Sequence, residues 1–191
     1  MVKRVFGLWK VYLIPVLLAA VLLGGCGSSS GKSGRAPKGT KEYVLSDYFG
    51  TREAGEDYIR KSENNGLCEK AELDRDGRIH IYVTEDQAAF WRKNSKDSLD
   101  EIEDSSGKSN ISYDFNKKYT KFTITAPKGC DIRKLATVFH QGAFAAEIYQ
   151  VFNGKEDWSL KVILVNEDNG KTILKTTMPE NMPTFDADLW D

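Results

Sequence analysis

The acidic residues around one predicted turn come closest in this chain to the spacing of a metal-binding loop. Positions 1, 3, 5 and 6 of a calcium-binding loop would be Glu72, Asp74, Asp76 and Gly77. Position 12 is Val83, so the bidentate glutamate that supplies two of about seven ligand oxygens is missing. A strand pattern also follows where a calcium loop leads into a helix. These residues therefore indicate a solvent-exposed hairpin turn, and we expect no metal and no cofactor.

The two histidines of the chain, His80 and His140, lack the neighbours that catalysis requires. The alternation of Ile79 and Ile81 places His80 on the opposite face of a strand. His140 falls on the polar side of a predicted helix, near Glu147. Neither histidine accompanies a nucleophile motif or stands at zinc-ligand spacing from a cysteine. We therefore predict that the protein is not an enzyme, and we name no catalytic residue.

The amino terminus has the layout of a cleavable export signal. Basic residues precede an apolar run from Val11 to Leu23, and small residues follow it up to Cys26 in the sequence LLGGC. The run is shorter than the roughly 20 residues that a membrane-spanning helix needs, and its organisation is that of a signal peptide. The alternative is an ordinary secretory signal in which Cys26 has no role.

This pattern resembles the lipobox of bacterial lipoprotein precursors. The resemblance implies cleavage after Gly25 and attachment of lipid chains, such as palmitate, to Cys26. It also implies a mature protein that is held at the cell membrane by its lipid anchor and faces outside the cytoplasm. Residues 1–25 are then the signal peptide, and residues 26–41 are the lipidated cysteine and a basic tether. Gly, Ser and Pro dominate this tether, so we expect it to be flexible.

Charge is distributed unevenly along the chain. Residues 42–191 carry 20 basic and 28 acidic side chains, a net charge of −8, and no acidic residue precedes Glu42. Nucleic-acid binding needs a positive surface, which an acidic domain does not provide. We therefore exclude nucleic acid as a partner.

Cys68 and Cys130 remain once Cys26 is lipidated. An exported protein meets oxidising conditions, which favours a disulfide between these two residues. Many exported proteins of Gram-positive bacteria nevertheless avoid disulfides, and sequence spacing does not establish that two cysteines are close in space. The Cys68–Cys130 disulfide is therefore a prediction for the structure to test.

Three hairpins are predicted from alternating apolar residues on both sides of turn residues. The first covers 68–83, the second covers 111–124, and the third covers 158–177. Thr84 and Gln87 form the capping box of a helix after the first hairpin. A longer helix with a broad apolar face follows the second hairpin, from about Asp131 to Phe152. A shorter helix is expected over 51–64.

This order of elements, ββαββαββ, predicts an α+β fold. We expect one antiparallel sheet of hairpins with both main helices packed on one face and the short helix at the amino-terminal side. A ferredoxin-like arrangement over residues 78–165 is the alternative, although it conflicts with the first hairpin. The single domain covers 42–178, and 179–191 form a C-terminal tail in which Trp190 has no expected partner.

The second face of the expected sheet carries a mixed set of aromatic and aliphatic side chains, namely His80, Tyr82, Ile163 and Val165. An apolar sheet face of this kind is either covered or used for binding. The segment 51–64 or the C-terminal tail would cover it in the first case. In the second case the face would be the interaction surface for a partner.

The stretch LDRDGRIHIYVTEDQ from Leu73 to Gln87, followed by Trp91, is similar to small lipoproteins of Gram-positive bacteria. Those families have no assigned activity. We therefore predict a membrane-anchored lipoprotein whose non-enzymatic domain binds an envelope protein through the uncovered sheet face. The alternative is the capture of a small ligand for a transporter or sensor.

Overall fold

The computed structural model describes residues 36–46, 49–107 and 110–190. These residues form the following strands and helices in chain order: β1 (Lys41–Leu45), α1 (Arg52–Asn64), β2 (Lys70–Leu73), β3 (Ile79–Val83), α2 (Glu85–Asp104), β4 (Ser112–Phe115), β5 (Lys121–Ala126), α3 (Ile132–Phe152), β6 (Leu160–Asn166) and β7 (Thr172–Met178). A 3-10 helix, Ala187–Trp190, follows β7. The predicted α+β class is confirmed, with the two main helices and the short N-terminal helix.

The helices begin at the residues that the sequence indicates. Thr84 accepts the N–H of Gln87, and the Gln87 side chain accepts the N–H of Thr84, so the capping box precedes α2. Thr51 and Asp131 cap α1 and α3, and each accepts backbone N–H groups of the first turn. These local hydrogen bonds explain why the predicted helix starts agree with the structure.

All three predicted hairpins are present, as the antiparallel pairs β2–β3, β4–β5 and β6–β7. They do not share one sheet. A three-stranded antiparallel sheet has the order β1-β3-β2, and a four-stranded sheet has the order β4-β5-β6-β7. In the second sheet, β5 and β6 are parallel. The arrangement therefore differs from the expected single antiparallel sheet and from the ferredoxin-like alternative.

The connections between strands explain this difference. A helix between two strands returns the chain so that the next strand runs parallel to the first, and α3 makes this crossover from β5 to β6. Both sides of β3 are occupied, by β2 on one and β1 on the other. No strand of the second half can therefore pair with β3.

Strand β1 was not predicted. It starts at Lys41, the last residue of the expected tether, and pairs antiparallel with β3 from Lys41↔Val83 to Leu45↔Ile79. Tyr43 and Leu45 face the core, whereas Glu42 and Val44 are exposed. Only two apolar side chains alternate inward, which is too short a pattern for the sequence to indicate a strand.

Helix α3 lies at the centre of the molecule and contacts both sheets. The Phe152 ring stacks on Tyr43 of β1 at 4.4 Å between centroids. Near its middle, Gly142 allows α3 to approach Phe115 and Phe122 of the second sheet. Residues 142–148 are all buried, so the helix is enclosed on nearly every side along this stretch.

The C-terminal tail belongs to the folded domain. Trp190 is only 9% exposed, and its Nε1 donates to the Ala126 carbonyl at 3.3 Å. Phe185 packs against Phe139 of α3 at 5.0 Å between centroids. The expectation that Trp190 has no partner is therefore wrong.

A candidate binding cleft at the edge of the first sheet

A cleft of about 650 Å³ lies beside β1. Residues 41–46 form one wall without interruption, and residues 154–158, in the connection from α3 to β6, form the opposite wall. Arg78 and Glu180 are among the residues that complete the lining. A strand that bordered the cleft with one face would contribute only every second side chain. Because six consecutive residues line the cleft, the strand borders it with its edge.

The outer edge of β1 offers backbone hydrogen-bonding groups that no other described strand uses. β1 is the outer strand of the three-stranded sheet, with β3 on its other side. In an antiparallel pair, successive residues direct their N–H and C=O groups alternately toward and away from the partner strand. Ser46 directs its N–H away from β3, to Glu147. Val44 and Glu42 lie two and four positions before Ser46. Their backbone groups therefore also point away from β3, into the cleft.

A buried polar network closes one end of the cleft. Glu147 is fully buried, and its Oε1 accepts the Ser46 N–H at 2.5 Å. Trp158 Nε1 donates to Ser46 Oγ at 2.8 Å, which joins the two walls of the cleft. Burial raises the pKa of Glu147 to about 7, and hydrogen bonds from Ser46 and Trp158 oppose that rise. Among the described residues, Glu147 Oε2 has no hydrogen-bond partner.

His80 lies on the outer face of the first sheet, next to the cleft. Its Nδ1 is 2.6 Å from Glu42 Oε1, and its Nε2 is 3.3 Å from Asp74 Oδ2. Burial opposes the charged imidazolium, but the hydrogen bonds and charges of the two carboxylates outweigh it and raise the pKa of His80. Both ring nitrogens are engaged, so this histidine has no free nitrogen to act as a general base.

Tyr82 is held by the same group of side chains. Its hydroxyl donates to Glu72 Oε1 at 3.2 Å and more weakly to Glu42 Oε1 at 3.4 Å. Burial and the two carboxylates raise the pKa of Tyr82 to about 12. Lys70 pairs with Glu72 at 2.8 Å and lies over the Tyr82 ring at 5.1 Å. The outer face of the first sheet is therefore a network of mutually satisfied charges.

The predicted interaction face is divided between the two sheets. His80 and Tyr82 belong to β3 in the first sheet, whereas Ile163 and Val165 belong to β6 in the second. The division follows from the topology, because β3 and β6 have no common sheet. The four residues therefore do not form one surface, and His80 and Tyr82 are occupied by internal contacts.

The turn with calcium-like spacing is held by its own hydrogen bonds. Asp74 Oδ1 accepts the N–H groups of Asp76 and Arg78, each at 2.9 Å. Asp74 Oδ2 accepts from Arg78 Nε at 2.8 Å. Burial opposes ionisation here, but these hydrogen bonds and that from His80 prevail and lower the pKa of Asp74 to about 2. The segment is a hairpin turn, as the sequence indicates.

Cys68 and Cys130 are free thiols, so the predicted disulfide is not formed. Cys68 is buried just before β2 of the first sheet, whereas Cys130 lies between β5 and α3, beside the second sheet. The two-sheet arrangement separates the segments that carry them. Burial raises the pKa of the Cys68 thiol to about 12, which makes it unreactive.

Sequence reasoning did not find the residues at the end of the cleft, namely Ser46, Glu147 and Trp158. Glu147 was expected on the polar side of its helix, near His140, yet it is fully buried. A signal was present, because Glu147 is the one charged residue in the stretch 142–148, GAFAAEI. A lone acid in so apolar a helical turn indicates a buried role.

No family model, curated protein or solved structure matches this chain. Within residues 36–46, 49–107 and 110–190, no helix is long and apolar enough to cross a membrane. Cys26 and the predicted signal peptide, residues 1–25, lie outside the described residues. The fold and the cleft together define the class of this protein, an α+β domain with a cleft along a strand edge.

Proposed function

We propose that this chain is a lipoprotein anchored through Cys26 at the outer side of the cell membrane, and that its domain binds a partner protein. The partner's extended segment would add to the first sheet along β1. One observation carries the binding proposal: residues 41–46 line a cleft of about 650 Å³ with the outer edge of a strand, which no other described strand pairs. The lipobox-like sequence before Cys26 supports the anchor.

Strand addition suits this cleft for a physical reason. The outward N–H and C=O groups of Glu42 and Val44 offer a partner backbone the same hydrogen bonds that an additional strand would make. Val44 is 38% exposed, so the strand also presents an apolar side chain next to the cleft. Lysines and carboxylates both line the cleft, and this mixed charge favours recognition of backbone over recognition of one charge sign.

The test is selection of short peptides from a phage-displayed library on the purified protein, followed by amide hydrogen exchange with the best peptide. Strand addition predicts that the bound peptide protects the Glu42 and Val44 amides. Val44→Pro removes one outward N–H without removing a bond to β3, because proline is tolerated at an edge. We expect it to weaken peptide binding by at least tenfold.

Val44→Thr is the matched control, because it changes the side chain and keeps the N–H. We expect it to bind peptide within about threefold of the wild type, and circular dichroism would confirm that both variants fold. If the selected peptides protect other amides, or if Val44→Pro binds them normally, the strand-addition proposal is wrong.

The capture of a small ligand is a second candidate, because ligand pockets commonly have volumes of roughly 300–1,000 Å³. The cleft volume of about 650 Å³ falls in this range. A metabolite panel that raises the melting temperature, without protection of the Glu42 and Val44 amides, would favour this candidate over strand addition.

The anchor has its own experiment. Cells fed with labelled palmitate should incorporate the label into the wild-type protein and not into Cys26→Ala. The variant should leave the membrane fraction or keep its uncleaved signal. Equal labelling of both proteins would refute the assignment of Cys26.

A further inference from the structure

On one face of the four-stranded sheet, which we call the open face, the residues are exposed or partly buried among the described part of the chain. Strand register places Lys121, Thr123, Lys161, Ile163, Val165 and Lys175 on this face. The opposite face carries fully buried residues such as Phe122 and Leu164, which pack in the core with α3. On the open face, Ile163 and Val165 are only partly buried and the three lysines are exposed.

The charge of this face is opposite to that of the domain. The face carries three lysines, and the β4–β5 register adds one acidic residue, Asp114. Residues 42–191 as a whole carry a net charge of −8. Lysines elsewhere, such as Lys93 and Lys96, pair with carboxylates one helical turn away. Lys121, Lys161 and Lys175 have no such ion pair among the described residues.

We propose that this open face lies against the anionic headgroups of the bilayer that holds the lipid anchor. The proposal rests on the proposed anchoring at Cys26, which keeps the domain next to a lipid surface. A flat sheet face with three ammonium groups complements a flat surface of phosphate groups, and Ile163 and Val165 lie between the lysines. The same surface repels the net negative charge on the rest of the domain. Attraction of the lysine face and repulsion of the other faces therefore favour the same orientation.

The size of the effect follows from lysine electrostatics near anionic lipid. Each lysine next to the surface favours the bound orientation by about fivefold. Three lysines acting together should therefore keep the domain in this orientation most of the time, rather than leave it randomly oriented on its tether. The attraction falls off within a Debye length, about 8 Å at physiological salt.

The experiment is lysine footprinting of the purified, lipidated protein. The protein is reconstituted in vesicles of phosphatidylcholine alone or with 30% phosphatidylglycerol, and lysines are acetylated briefly and quantified by mass spectrometry. We expect acetylation of Lys121, Lys161 and Lys175 to fall at least fivefold on the anionic vesicles. Acetylation of Lys134, exposed on α3, should not change. High salt should abolish the difference.

Variants and controls separate the outcomes. Lys161→Gln removes one of the three charges and should weaken the protection of Lys121 and Lys175 by up to about fivefold, whereas Lys134→Gln should leave that protection unchanged. Equal rates on both vesicles would overturn the proposal, as would protection on neutral vesicles, which points to a second copy or another cover. Flotation checks the anchor separately: protein that does not float with the vesicles contradicts the anchor, not the charge argument.

Discussion

The Ser46 backbone N–H donates to Glu147 Oε1 at 2.5 Å, across 101 positions of the chain. This bond joins the end of β1 to the central helix α3. Ser46 also accepts from Trp158, so the same residue connects both walls of the cleft. The width of the cleft at this end therefore depends on a carboxyl group that solvent does not reach.

Glu147 should make stability depend on pH. Its pKa is about 7 in the folded protein, against the ordinary value of 4.5 for an unfolded chain. Between these two pH values the folded state therefore binds one proton more than the unfolded state. Stability is then fully present below about pH 4.5 and is lost as pH rises through 7, by about 3 kcal/mol. Glu147→Gln should remove this dependence and be more stable than the wild type at pH 8. Urea unfolding at several pH values measures this.

Glu156→Gln is the control for that series, because Glu156 is an exposed carboxylate on the cleft wall. It should leave the pH dependence of the wild type in place. A wild-type protein whose stability is constant between pH 5 and 8 would contradict the buried role of Glu147.

His80 should contribute to stability in acid. Its pKa is raised in the folded state, so its contribution is complete below about pH 6.5 and is lost as pH rises through the raised value. His80→Gln should cost about 1 kcal/mol or less at pH 6, because Glu42 is partly exposed to solvent. At pH 9 the variant and the wild type should be nearly equal.

His140 provides a comparison of opposite sign. Burial lowers the pKa of His140, so its contribution is present above about pH 6.5 and is lost as pH falls. His140→Gln should therefore gain stability relative to the wild type in acid, where His80→Gln loses it. Thermal unfolding between pH 5 and 8 distinguishes them, and parallel curves for the two variants would refute the assignments.

Gly142→Ala should destabilise the domain. A Cβ at this position would lie 3.0 Å from Phe115 Cζ and 3.1 Å from Phe122 Cε1, and these two rings stack on each other. The rings have little freedom to move, so we expect a loss of about 1–3 kcal/mol. In Gly55→Ala the new methyl meets the flexible end of Leu73, and better helix propensity offsets the contact. Chemical unfolding should separate the two variants.

Cys68 and Cys130 should both alkylate in unreduced, denatured protein, because both are free. In the folded protein Cys130 should react first, since Cys68 is only 4% exposed. Mass spectrometry of the alkylated peptides reads each site separately. An unreduced protein that alkylates at neither site after denaturation would show that the disulfide forms.

Local signals predicted the parts of this fold that neighbouring residues determine. Thr84 and Gln87 form their capping box, and the turn after Asp74 connects β2 to β3. Long-range pairing was not predictable in this way. Whether β5 pairs with β6 or with β3 depends on the crossover of α3 and on β1, and β1 has too few alternating residues to be recognised.

The candidate site was harder to predict than the fold. The alternation of Ile79 and Ile81 placed His80 and Tyr82 on the opposite face of the strand, as part of an apolar interaction face. Their partners are instead the carboxylates of Glu42, Glu72 and Asp74, from two neighbouring strands and a turn. Spacing along the chain does not contain those contacts. The edge of β1 is a property of sheet order, which no single segment encodes.

The bond between Ser46 and Glu147 also joins two parts of the chain that are synthesised far apart in time. Residue 147 follows residue 46 by 101 positions, which takes a ribosome about 5–20 s at roughly 5–20 residues per second. During that interval β1 has emerged but its buried carboxyl partner has not. A newly made chain therefore contains β1 before it contains the residues that close the cleft, so the strand edge that we propose for the partner is exposed to other proteins until the domain has folded.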